Sequence, residues 1–242
     1  MEEGKKTIHL KNISLIRPNE TRSERVPSID FEAKRIDWGD ESDIHKVSLN
    51  HTELGTLKGF IFKKSLDLHP EESLADTLAQ WREIRKVKAS LVKEKREGFN
   101  IPGTVRGIAT RDNVLGLLVT DLSEGGKNYV FDLKTLFRNA HNITREDMQN
   151  IKIAVIRDMD IARENGIKLV SGATGLDAWF VVKPKAGGDC KVYITDIGKY
   201  SSETRDPHVY AGDRTNDPDE LYKIGQRAID ILERDVYAEQ AR

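Results

Sequence analysis

Three stretches of this chain set polar groups where they could do chemistry. The first is Gly55-Thr56-Leu57-Lys58-Gly59-Phe60-Ile61-Phe62-Lys63, a β-rich run that ends in the lysine pair Lys63-Lys64. A lysine held at a strand end is a fixed cation; an ordinary strand followed by solvated lysines is the simpler alternative. The second is Val170-Ser171-Gly172-Ala173-Thr174-Gly175-Leu176-Asp177. Gly172 and Gly175 allow the dihedrals of an anion-binding nest of backbone amides, and Asp177 offers a hard oxygen ligand. The third is Ile194-Thr195-Asp196-Ile197-Gly198, at the end of a predicted strand. An Asp-x-Gly triplet often makes a turn, and it also presents a carboxylate. The six histidines are scattered and form no i, i+4 pair on a helix, so a histidine metal site is not expected. Cys190 is the one cysteine, which excludes an intrachain disulfide and a paired-cysteine zinc site. It lies in a polar loop without a neighbouring histidine and reads as incidental rather than nucleophilic.

The elements that must position these groups follow from periodicity. Residues 7–17 read as a strand and residues 18–27, with Pro18 and Pro27, as a loop. Short strands are expected near Ile29–Ile36 and His45–Leu49. Residues 73–97 read as a helix capped by Ser73 and Asp76, with Leu74, Leu78, Trp81, Ile84 and Leu91 along one stripe. Strands at Val105–Ala109 and Val114–Val119 follow, then a loop at 120–130. Thr144 and Asp147 form a capping box for a helix over 144–165, with Met148, Ile151, Val155, Met159 and Ala162 on one side; Asn165-Gly166 suits its left-handed end. Trp179–Val182 and Lys191–Thr195 read as a hairpin. Asp217, Pro218 and Glu220 open a last helix whose apolar side is Leu221, Ile224, Ala228 and Ile231.

Composition bounds the function classes. Lys and Arg number 39 against 40 Asp and Glu, a net charge of −1, which argues against non-specific nucleic-acid binding. No apolar run approaches the roughly 20 residues of a membrane span. Met1-Glu2-Glu3-Gly4-Lys5-Lys6 has no apolar core and does not read as a secretory signal, so the cytoplasm is the expected compartment.

The order of elements is a strand-rich half with one helix, a boundary loop, then a helix-rich half. Over about residues 30–235 this resembles the protein-kinase-like fold. Phe60-Ile61-Phe62-Lys63 is similar to the third-strand V-A-I-K motif, and Asp196-Ile197-Gly198 to D-F-G. Glu83, 20 residues after Lys63, stands in the helix whose glutamate holds that lysine in kinases, although its helical angle lies opposite Leu74 and Trp81. The Val170–Asp177 stretch occupies the place of the catalytic loop. Asp177 then falls on the metal-binding asparagine, and Val170, Ser171 and Gly172 fall on H-R-D, so the catalytic base is absent. No G-x-G-x-x-G exists near Trp38-Gly39-Asp40-Glu41, where the phosphate-covering loop belongs.

The resemblance implies an α+β, two-lobed fold: a small antiparallel-sheet N-lobe with one helix over 1–122, including an N-terminal extension, and a reduced helical C-lobe over 123–242. It implies ATP with Mg²⁺ or Mn²⁺ as cofactors, Lys63, Glu83 and Asp121 on the nucleotide side, and Asp177 and Asp196 on the metal. The expected function is that of a pseudokinase or nucleotide-binding regulatory module, with a protein partner allowed for and no membrane or nucleic acid. An active atypical ATP-dependent phosphotransferase and an unrelated α/β binding protein are the alternatives.

Overall fold

A computed structural model of the chain describes residues 6–16, 24–38, 42–49, 60–65, 70–109, 115–167, 169, 176, 178–195 and 217–242. They form a mixed helix and strand architecture of the α+β kind. The chain divides into two compact units, residues 1–86 with 101–126 and residues 87–100 with 127–242. The change from one unit to the other first occurs within a helix.

The first unit contains six strands: β1 (Lys6–Ile16), β2 (Glu24–Trp38), β3 (Ser42–Leu49), β4 (Phe60–Ser65), β5 (Thr104–Ala109) and β6 (Leu115–Thr120). Every neighbouring pair is antiparallel, in the order β1-β2-β3-β4-β6-β5, and β5 returns to β1 to close a barrel. Closure removes the exposed edges of an open sheet. Register shifts between Lys11 and Ser14 and between Arg35 and Asp37 supply the local bending that closure requires. The two short expected strands are parts of β3 and of a 15-residue β2. Pro27, read as a loop residue, lies inside β2 between the paired positions Val26↔Ile13 and Ser28↔Lys11. A proline has no N–H to give the ladder, so it survives in a strand only where none is needed.

Helix α1 (Pro70–Lys93) begins three residues before Ser73 and ends before the expected stop at Gly98. Its end is a Schellman arrangement. Arg96 N–H donates to Leu91 O at 2.9 Å, Lys95 N–H donates to Val92 O at 3.2 Å, and Lys95 takes φ +56°. A lysine does here what glycine usually does, which is why the sequence points to a later end.

The second unit holds β7 (Asn128–Asp132), β8 (Trp179–Pro184) and β9 (Lys191–Ile194) in one antiparallel sheet, with α2 (Arg145–Glu164) and α3 (Pro218–Gln240). Between β7 and α2 runs a 3-10 segment, Leu133–Asn142, that buries Leu136 and Ala140. Neither β7 nor this segment is expected from the sequence. The strand is only five residues long, and the 3-10 repeat matches neither the strand nor the α-helical period. One face of the sheet buries Phe131, Trp179, Val181, Val192 and Ile194. Helix α2 packs on β9 and on α3 and buries all five apolar residues expected of it. In α3 the buried stripe is Leu221, Gly225, Ile229, Leu232 and Val236, and Ile231 is exposed. The expected stripe of Ile224, Ala228 and Ile231 is displaced because a glycine occupies one inward position.

The start of α2 matches its sequence signature. Asp147 N–H donates to Thr144 Oγ1 at 3.0 Å, and Thr144 N–H donates to Asp147 Oδ2 at 2.8 Å. Thr144→Ala is expected to cost about 1–2 kcal/mol. In urea titration the unfolding midpoint falls while the slope is unchanged.

Candidate functional site

Asp158 follows Val155 by three residues and Ile151 by seven, which places it in the apolar stripe of α2. It is 1% exposed. Its Oδ1 accepts from Phe99 N–H at 3.0 Å, and its Oδ2 accepts from the Trp179 indole Nε1–H at 3.3 Å. The cations nearby are committed elsewhere. Lys88 Nζ donates to Gly98 O at 2.7 Å, and Arg157 pairs with Glu97 at 2.8 Å. Burial pushes the Asp158 carboxyl up to about 6, against the pull of Phe99 N–H, Arg157, Trp179 and Lys88.

Through Asp158, residues 97–100 become a strap within the second unit. Asn100 continues the strap onto β9: Ile194 N–H donates to Asn100 O at 2.9 Å, and Asn100 Nδ2 donates to Val192 O at 3.0 Å. The strap turns at Gly98, φ +141°, where a Cβ would stand 2.4 Å from Ile161 Cδ1 and 3.6 Å from Asp158 Oδ1. Trp179 is fixed by Asp158, and Thr195 N–H donates to Ala178 O at 2.8 Å. The open end of the β8–β9 hairpin is therefore held from two sides. Thr195 Oγ1 is buried there, without a hydrogen-bond partner among the described residues.

The residues expected to bind cofactor or metal fall as follows. Lys63 is in β4, opposite Ile44 on one side and Leu117 on the other; its side chain lies outside the described residues. Glu83 faces solvent and pairs with Lys86, one turn along α1, at 2.6 Å. Asp121 Oδ1 accepts from Ser123 N–H at 2.9 Å, shaping the turn after β6. Asp177 and Asp196 lie outside the described residues. They are the sequence neighbours of Ala178 and Thr195, which the hairpin end joins. Among the described residues, no three or more His, Cys, Asp or Glu side chains are grouped to hold a metal ion.

Sequence reading passed over Asp158, Lys88 and Trp179 as a set. The available signal was a charge inside an apolar stripe, at Asp158 in α2 and at Lys88 beside Ile84 and Leu91 in α1. Cys190 also gains partners. Its thiol hydrogen-bonds Asp147, and burial, with Asp147 adding to it, pushes the thiol up to about 12. A thiol that stays protonated is a poor nucleophile. Asp147 itself would be raised by burial, but Lys183, whose Nζ lies 2.5 Å away, and the Thr144 donors outweigh this and hold it at about 2.

No helix among the described residues is long and apolar enough to cross a membrane. No known protein-family model matches the chain, and no curated protein is similar to it in sequence.

Gly98→Ala is expected to cost about 2–4 kcal/mol, because a strained dihedral and an overpacked contact add. Gly187, at φ +92° with nothing within 4 Å of a built Cβ, is the control. Its alanine variant carries only the dihedral strain, about 1–2 kcal/mol. Parallel urea titrations compare the two.

Proposed function

We propose that the chain is a two-lobed, protein-kinase-like, nucleotide-binding regulatory module, a pseudokinase. In this reading Asp177 and Asp196 hold a divalent cation, and Lys63 faces the phosphates of ATP. The observation that carries it is the end of the β8–β9 hairpin. Ala178 and Thr195 are hydrogen-bonded there at 2.8 Å, and the two aspartates are the next residues in sequence on either side. In this reading the two carboxylates, with the Thr195 hydroxyl that is buried and has no hydrogen-bond partner among the described residues, supply an all-oxygen donor set, which suits Mg²⁺ or Mn²⁺. When bound, such a cation neutralises phosphate charge.

Two features favour binding over turnover. By the motif resemblance, Val170, Ser171 and Gly172 fall on H-R-D in the sequence, so the catalytic base is missing from this reading. Glu83, which would have to hold Lys63 in an active kinase, is exposed and paired with Lys86. The missing glycine loop also removes amide donors for the phosphates and leaves more of the charge balance to the metal.

Calorimetric titration with ATP is expected to give saturable heat with Mg²⁺ or Mn²⁺ and none in EDTA, and Asp196→Asn is expected to abolish the metal-dependent signal. Equal binding in EDTA contradicts the metal assignment, and no binding under any metal condition contradicts the nucleotide reading.

A further inference from the structure

The Asp158 anchor joins α2, β8 and the strap through a carboxylate with no ion pair among the described residues. Burying an unpaired carboxylate is costly, and two N–H donors offset only part of that cost. The charged groups around it are Lys88 from α1, Arg157 from α2 itself and Glu97 from the strap; β8 contributes the Trp179 indole, and Leu91 and Ile161 pack at the adjoining turn at Gly98. Lys88 and Arg157 are both tied to strap groups, Gly98 O and Glu97. If the strap lifts, Asp158 gains water and both cations are released toward it. Each of these changes favours the ionised carboxylate in the lifted state and the protonated one in the docked state.

We propose that the strap is a proton-controlled latch, held on α2 and β9 when Asp158 carries a proton and opened more often when Asp158 is ionised. The sign follows from linkage. The docked form holds the Asp158 proton more tightly than the lifted form. Its advantage is therefore complete below the ordinary carboxylate range near 4 and is lost as pH rises through about 6. Conformation after α1 would thus respond to pH between about 4 and about 6, independently of any nucleotide.

Hydrogen exchange of the Phe99 amide in the full chain reads the opening directly, after correction for the intrinsic rate. Between about pH 5 and about pH 7.5 the opening constant is expected to rise about tenfold, the change that linkage gives for a group moved from near 4 to about 6. Asp158→Asn, which cannot ionise, is expected to show the same opening at both values. Should that variant fail to fold, Trp179→Phe removes one donor to the carboxylate, and the midpoint of the pH response is expected to move upward. A flat response in the wild type overturns the proposal. So does an unchanged response in Asp158→Asn, or a midpoint that stays or falls in Trp179→Phe.

Discussion

The second unit depends on one buried carboxylate. Asp158 is the point at which the strap, α2 and β8 meet, and each of its oxygens accepts from a different element. A leucine there would bury apolar surface but leave Phe99 N–H and the Trp179 indole without acceptors. An orphaned buried donor costs about 1–3 kcal/mol. The carboxylate thus specifies an arrangement more than it adds stability, since its own desolvation offsets much of what its bonds contribute. Gly98 completes the joint. A strap that passes this close to α2 must turn with a positive φ and no side chain.

Much of the second unit was legible because its signals are local. Thr144 and Asp147 cap α2 as their spacing demands, and Asp217 caps α3 by accepting from Asp219 and Glu220 N–H. Gly166 takes φ +66° where α2 ends. What stayed hidden was either non-local or lacked a sequence period. Barrel closure depends on the β1–β5 register, which no stretch of either strand encodes alone. The α1 terminus hid because Lys95 rather than glycine adopts the left-handed turn. The stripe of α3 hid because Gly225 is one of its inward residues. Asp158 hid for the same kind of reason: a charged residue in an apolar stripe reads as an interruption until its two donors, 59 and 21 residues away, are known.

The functional reading joins these two levels. Asp177, Asp196 and Lys63 rest on motif resemblance, and Asp177 and Asp196 are the sequence neighbours of the hydrogen-bonded pair Ala178 and Thr195. Trp179 donates to Asp158, and Thr195 N–H donates to Ala178 O, so the described backbone at this end of the hairpin is held at both strands. Glu83 shows the opposite: on the solvent face of α1, its ion pair is a short-range one with Lys86, which is worth little.

The most direct measurement is paramagnetic broadening of amide resonances by Mn²⁺ with ATP in the full chain. The pseudokinase reading predicts that the Ala178 and Thr195 amides broaden together and at the lowest Mn²⁺ concentration, and that both recover when Mg²⁺ displaces Mn²⁺. Broadening that spares this hairpin end, or that is the same without ATP and centred on other acidic residues, would contradict it.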